Sequence, residues 1–330
     1  MILPDGVAGG ESYAHSEDQL RLMARVARMY HERGMRQGAI ARELHVSQPR
    51  VSRLLKRAVE VGIVRTTVAL PSGVYTDVEE AVEEAFGLEQ VVLVDADDRD
   101  DDVAQALGGA AADYLAATLI GGDTVGISSW SASLLAVVGA MRPFRTRVVD
   151  TVVQLVGGLG DPRVQMQATR LIGQFASHTG ADPVLLSTPG VLGSAGARDS
   201  LMADPAVADV LEVWERMTVA LVGIGAVEPS DLARQSGNAF AEVDRVRLRD
   251  EGAVGDICFR FYDGSGASIE SDFNDRVIGI SPDALRAVPR RIAVAGGQRK
   301  LAAIRGALLG GWVNVLVTDV RTARDLLESP

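Results

Sequence analysis

The chain has 330 residues, room for two domains at roughly 150 residues each, with 47% hydrophobic, 23% charged and 5% aromatic residues. That balance excludes a disordered or fibrous chain and leaves ample apolar surface for a core. The formal net charge of -11 speaks against a polyanion partner for the chain as a whole, and the single cysteine, Cys258, excludes an internal disulfide or a thiolate metal cage.

Residues 1–16 lack a basic stretch followed by an apolar run, so they read as a disordered arm rather than a signal peptide. No charge-free run of 18 apolar residues occurs, so no membrane partner and a cytoplasmic location are expected. Charge is unevenly placed. Residues 17–65 hold eleven Lys/Arg against five Asp/Glu, while everything after them is strongly acidic. A basic head on an acidic body assigns a polyanion to the head alone.

The head, residues 17–70, contains three helical patterns. In 18–33, Leu22, Val26, Met29 and Tyr30 recur at helical spacing, and Gly34 stops the run. In 36–45, Ile40, Ala41 and Leu44 share a face. Ser47 can cap a third helix with Pro49 in its first turn, burying Val51, Leu54, Leu55 and Ala58. Small Ala41 at the crossing and Val46 plugging the turn complete a helix-turn-helix. His45 stands where the turn often has glycine and must accept a left-handed conformation.

A third helix of this kind enters the major groove by its N-terminal end. Gln48, Arg50, Ser52 and Arg53 then face base edges, Gln pairing with adenine and Arg with guanine. Arg36, Gln37, Ser47 and Lys56 are placed for phosphates. A packing module with a solvated basic face explains the charge but not the spacing. Beyond Gly62, IVRTTVAL reads as a short strand, a possible wing, leading to a linker at Pro71.

In the body, residues 71–330, an acidic helix capped at Thr76 precedes an alternation of strands and helices. Strands are expected at 91–96, 124–128, 147–157, 183–187, 219–227, 277–281, 291–297 and 313–319, with a hairpin over 257–270 turning at Asp263–Gly266. Unalternating apolar strands between amphipathic helices indicate an α/β fold, a doubly wound, mostly parallel sheet covered on both faces. Such sheets take ligands beyond the carboxyl ends of their strands.

Four strand exits carry polar or glycine residues. In GISSWSAS, Gly126, Ser128, Ser129 and Ser131 could cradle a phosphate or sugar hydroxyls at a helix N-terminus, where Ser131 alone could be a plain cap. Gln154, Gly157 and Gly158 lie in QLVGGLGD, which a tight turn explains equally. Asp256 could accept hydroxyl protons or serve as a turn aspartate. Lys300, following Gly297, is one of only two lysines in the chain; a compact cation there suits a phosphate, while a chance surface lysine is the plain alternative.

These segments together carry a resemblance. GAIARELHVSQPRVSRLLKRA, VVQLVGG, GAVGDICFRF, RVIGIS, RRIAVAGGQRKLAAIRGALLGGWVNVLVTD and TARDLL resemble the SorC family of sugar-sensing transcription regulators. The resemblance implies a body similar to sugar-phosphate isomerases that binds an effector without turning it over. It also implies a homotetramer or dimer on double-stranded DNA at a palindromic operator, controlled by a sugar, polyol or sugar phosphate. The Ser128–Ser131 loop, Asp256, Lys300 and Gln154 become effector contacts by the same resemblance. GISSWSAS departs from the GxSWGxT common in relatives, which favours an unphosphorylated or short polyol. No cofactor or metal is implied, and no enzyme activity is expected. A sugar-phosphate isomerase fused to a DNA-binding domain, or a body used only for assembly, are the alternatives.

Overall fold

The computed structural model describes residues 17–64, 74–97, 99–128, 131–158, 162–228 and 242–328. The expected arm, the strand beyond Val64, the linker at Pro71 and Ser129 lie outside the described residues. The chain divides into two compact units, Met1–Ala69 and Leu70–Pro330.

The first unit contains α1 (Glu17–His31), α2 (Gln37–Glu43) and α3 (Gln48–Glu60). Val26, Met29, Ile40, Ala41, Val51 and Leu55 form its core. Tyr30 was expected inside but is 38% exposed, and Met23 takes a buried place instead. The inward stripe of α1 keeps Val26 and Met29 from the expected face and widens to take in Met23 and Ala27. Gly34, at φ +64°, ends the α1 turn, and His45 adopts φ +52° between α2 and α3. Ser47 occupies the cap position of α3, but its hydroxyl makes no capping bond; Pro49 in the first turn sets the helix start through its fixed φ.

The second unit opens with α4 (Thr76–Phe86), whose cap position belongs to Tyr75 rather than Thr76. It continues with β1 (Gln90–Val94), α5 (Asp100–Thr118), β2 (Asp123–Ile127), α6 (Ala132–Ala140), β3 (Val149–Gln154), α7 (Pro162–Thr179) and β4 (Asp182–Val184). Then come α8 (Ala195–Met202), α9 (Pro205–Trp214), β5 (Val219–Val222), β6 (Gly225–Ala226), α10 (Glu242–Asp250), β7 (Gly255–Ile257) and β8 (Arg260–Tyr262). The last elements are α11 (Pro282–Ala287), β9 (Arg290–Val294), α12 (Leu301–Leu309), β10 (Val315–Asp319) and α13 (Val320–Glu328).

Seven strands form one sheet in the order β1-β10-β9-β5-β2-β3-β4, with every neighbouring pair parallel. Its central strands are buried along their length; all four residues of β5 and all five of β10 are. Helices on both faces explain why these strands read as continuous apolar runs. Successive strands step outward from β2 to β3 and β4. The chain then returns to β5 beside β2 and steps the other way to β9 and β10. The reversal falls between β2 and β5, the position where doubly wound sheets open a crevice at their carboxyl ends.

Three expectations need correction. The run 219–227 is not one strand: β5 ends at Val222, and β6 joins β7 and β8 in a separate antiparallel sheet. The hairpin reverses first at Cys258–Phe259, between β7 and β8, with a second turn at Asp263–Gly266. Residues 277–281 form isolated bridges, Val277 to Val191 and Gly279 to Val156, instead of a strand.

Candidate functional site

In the first unit, packing decides which side chains remain outside. Val51, Leu55 and Ala58 point α3 inward. Gln48, Arg50, Ser52, Arg53 and Lys56 are thereby left exposed on the opposite face, as are Arg36 before α2 and Ser47 before α3. Gln37 is half-buried in the first turn of α2. A Cβ on Gly38 would lie 3.7 Å from Gln48 Oε1, which brings the first turns of α2 and α3 side by side. The result is one face with three arginines, a lysine and two amides around the start of α3. Such a face offers guanidinium and amide donors to base edges and to phosphates.

In the second unit, the reversal between β2 and β5 is closed by a direct contact. Ser128, buried just beyond β2, accepts the Gly223 N–H at 3.0 Å through its Oγ. Ser131 caps α6, its Oγ accepting the Leu134 N–H at 3.4 Å. A Cβ on Gly223 would stand 2.6 Å from Ser131 Oγ, so only glycine lets the β5 exit lie against this loop. Both serines act as acceptors here, which leaves each hydroxyl proton available to another partner. Gly126 sits deeper, inside β2, where a Cβ would strike Met217 and Leu155; it serves packing beneath the crevice.

Two residues further along, Gly225 presses against the Asp256 carboxylate so closely that no Cβ fits. The four-residue exit Val222–Gly225 therefore touches the serine loop with one glycine and Asp256 with the other. Asp256 lies in β7 opposite Gly225. Its Oδ2 accepts the Phe259 N–H at 3.0 Å across a turn in which Cys258 and Phe259 both hold positive φ, +54° and +61°. Two consecutive left-handed non-glycine residues cost roughly 1–2 kcal/mol each. Burial pushes the Asp256 carboxyl up to about 6, offset in part by the Phe259 N–H and by Lys300.

Lys300 reaches the same region from β9. It ends a short 3-10 turn, Gln298–Lys300, that follows Gly297. Burial holds its ammonium below the ordinary lysine range, reinforced by Arg299 and opposed by Asp256 and Asp100. Among the described residues, Lys300 makes no ion pair within 4 Å. Asp256 and Lys300 are both half-buried and act on each other's charge without an ion pair, so a ligand hydroxyl bound at both would meet one acceptor and one donor. Such a group would donate to Asp256 and accept from Lys300.

The other expected contacts are engaged within the fold. Gln154 is buried; its Nε2 donates to Val156 O at 2.7 Å and its Oε1 accepts Leu186 N–H at 3.3 Å. Its backbone carbonyl accepts the Trp214 indole N–H at 2.9 Å. Gly157 N–H donates to Ile278 O at 2.9 Å and Gly158 N–H to Thr188 O at 2.7 Å. A Cβ on Gly157 would lie 2.7 Å from two carbonyl oxygens of the Thr188–Pro189 segment. These three residues bind the β3 and β4 exits to each other. Asp319 and Thr322, absent from the sequence-based set, hold the Gly297 loop: Gly297 N–H donates to Asp319 Oδ2 at 2.8 Å. The D-x-x-T spacing that ends on the first residue of TARDLL, an aspartate helix-cap pattern at a strand exit, is the signal that marks them.

A helix-turn-helix head joined to a doubly wound body with polar and glycine residues at its strand exits defines a ligand-responsive DNA-binding regulator. Comparison with known proteins narrows the class. Residues 73–328 match the Sugar-bind family model, a sugar-binding domain. The chain is 34% identical to the deoxyribonucleoside regulator of Bacillus subtilis (strain 168), over 94% of this chain and 98% of that one. It is 30% identical to the sorbitol operon regulator of Klebsiella pneumoniae, over 95% and 99%. The crystal structure of full-length SorC from Klebsiella pneumoniae superposes with a TM-score of 0.70 at 28% identity, covering 94% of this chain and 100% of that one. The chain belongs to the SorC family of sugar-binding transcriptional regulators. No described helix is long and apolar enough to cross a membrane.

Proposed function

We propose that the protein controls a carbohydrate or polyol operon by binding double-stranded DNA through α3 and a sugar, polyol or sugar phosphate in the crevice between β2 and β5. Arg50, Arg53, Gln48 and Ser52 read bases, while Arg36, Gln37, Ser47 and Lys56 take phosphates. Ser128, Ser131, Asp256 and Lys300 contact the effector, with Ser129 on the same loop. Gln154, Gly126, Gly157, Gly158 and Gly297 shape the crevice. The observation that carries the reading is the β5 exit, whose two glycines lie against Ser131 and Asp256 beside the partly buried Lys300.

The site is read as binding its effector without turnover, in line with the regulators that the chain resembles; sugar-phosphate turnover by the purified protein would overturn that reading. The working form is a homodimer or homotetramer on a palindromic operator, since a palindrome is read by a two-fold pair of heads. The test is a thermal-shift panel of sugars, polyols and their phosphates on wild type, Lys300→Met and Asp256→Asn. A ligand selective for the folded form raises the melting temperature, and both variants should abolish that rise. A compound that works equally on all three proteins would move the site elsewhere. If only uncharged polyols act and Lys300→Met still responds, Lys300 does not hold a phosphate.

A further inference from the structure

The loop carrying Lys300 is held from outside its own helix. Gly297, at φ +88°, directs its N–H at Asp319 Oδ2 and at Thr322 Oγ1, 2.8 and 2.9 Å away. Thr322 in turn donates its hydroxyl to Asp319 Oδ2 at 2.7 Å and its N–H to Asp319 Oδ1 at 2.8 Å. Gly296 packs onto the same carboxylate with no space for a Cβ. Gln298 Nε2 donates to Asp325 Oδ2, and Arg299 pairs with Asp100 at 3.1 Å. Three carboxylates from other elements thus fix three consecutive residues just before Lys300. Lys300, at the cap position of α12, makes no capping bond of its own.

Asp319 and Thr322 are both buried, at the end of β10 and in the first turn of α13. A buried carboxylate is costly unless its lone pairs are satisfied. Asp319 draws two of its donors from Thr322 and the third from Gly297. The burial of Asp319 and the conformation of the loop are therefore one equilibrium: releasing the loop leaves a buried acceptor short of a donor.

We propose that Asp319 and Thr322 are positioning residues of the effector crevice, their clasp on Gly297 setting where Lys300 stands relative to Asp256 and making the first turn of α13 follow that loop. The proposal rests on the reading of Asp256 and Lys300 as effector contacts. It adds a route out of the crevice, because α13 packs against α4, the first described helix after the head.

The chain's two lysines, Lys56 and Lys300, allow a test that needs no effector. In full-length protein carrying Lys56→Arg, reductive methylation with 13C-formaldehyde leaves Lys300 and the terminal amine as the two NMR reporters. Asp319→Asn and Thr322→Val should each displace the Lys300 signal and raise its titration toward that of free lysine, because the ammonium regains water. Both should also lose hydrogen-exchange protection over Val320–Glu328. Thr322→Ser keeps the hydroxyl and should leave position, titration and protection as in wild type. An unmoved Lys300 signal in folded Thr322→Val overturns the proposal, and that variant decides the matter if Asp319→Asn fails to fold. An effector screen without hits would instead sink the functional reading and leave this measurement standing.

Discussion

The two units carry their candidate chemistry in opposite ways. In the head, the side chains assigned to DNA are exposed, apart from half-buried Gln37, and their positions follow from which face of α3 the core claims. In the body, the assigned groups are buried or half-buried, and most already bond to protein: Ser128 to Gly223, Ser131 to Leu134, Asp256 to Phe259. A surface that reads a long polyanion works by display. A crevice that reads a small polar molecule works by holding donors and acceptors in place, so its residues serve the fold and the ligand together.

The comparison breaks most clearly if the two sets fail to separate. Replacing both Arg50 and Arg53 with alanine removes two guanidinium contacts of roughly 1–3 kcal/mol each. Operator affinity should fall between about 30-fold and about 20,000-fold in an anisotropy titration at fixed salt, since each 1.4 kcal/mol is a factor of ten. The effector-induced rise in melting temperature should be untouched. A loss of both would mean that the head and the crevice are not independent in the way their surfaces suggest.

The buried set makes the converse prediction. The Asp256 carboxyl is raised by burial to about 6, above an ordinary carboxylate near 3.9. The folded state therefore holds this proton more tightly than the unfolded state. The stability it contributes is fully present below about pH 4 and is lost as pH rises through about 6. Asp256→Asn removes the ionised form, so it should melt above wild type at pH 7–8, by no more than about 3 kcal/mol of stability. The gap should close toward pH 4. The same variant should lose the effector-induced shift at every pH. If it melts below wild type at pH 8, the carboxylate is stabilising where it sits and burial is not the controlling effect.

Much of this organisation is legible in the chain, and the misses share one cause. The order of strands and helices follows from apolar runs and their punctuation, and the head follows from the spacing of Ala41, Val46 and Val51. The break at Gly223 is invisible in VALVGIGAV, because the group that requires it, Ser131, is 92 residues away and meets it only once the sheet is wound. The turn at Cys258–Phe259 is equally hidden. Left-handed turns advertise themselves through Asn and Gly, and here the positive φ values fall on a cysteine and a phenylalanine, both buried. Gln154 and Gly158 stand out as polar and glycine residues at a strand exit, which they are; their bonds to Leu186 and Thr188 form only once β3 and β4 lie side by side, and nothing local in the chain announces them.

Two smaller measurements sharpen the display half of the comparison. Lys56, exposed on α3, is assigned to phosphate. Lys56→Ala should lower affinity for every DNA sequence alike and reduce the magnitude of the log affinity against log salt slope by about 1. A sequence-dependent loss would move Lys56 among the base readers.

The smallest effect concerns His45, exposed at φ +52° in the turn between α2 and α3. Holding a non-glycine residue there costs roughly 1–2 kcal/mol. Glycine relieves that strain but gives the unfolded chain back about 0.4–1 kcal/mol of freedom. His45→Gly should therefore stabilise the head by about 1.6 kcal/mol at most, read as a rise in its melting transition by circular dichroism on the full chain. If the imidazole does nothing but close the turn, operator affinity will not change. A weaker complex from a more stable head would show that the strain is retained because His45 reaches the DNA backbone, and the displayed surface would then extend across the turn as well as along α3.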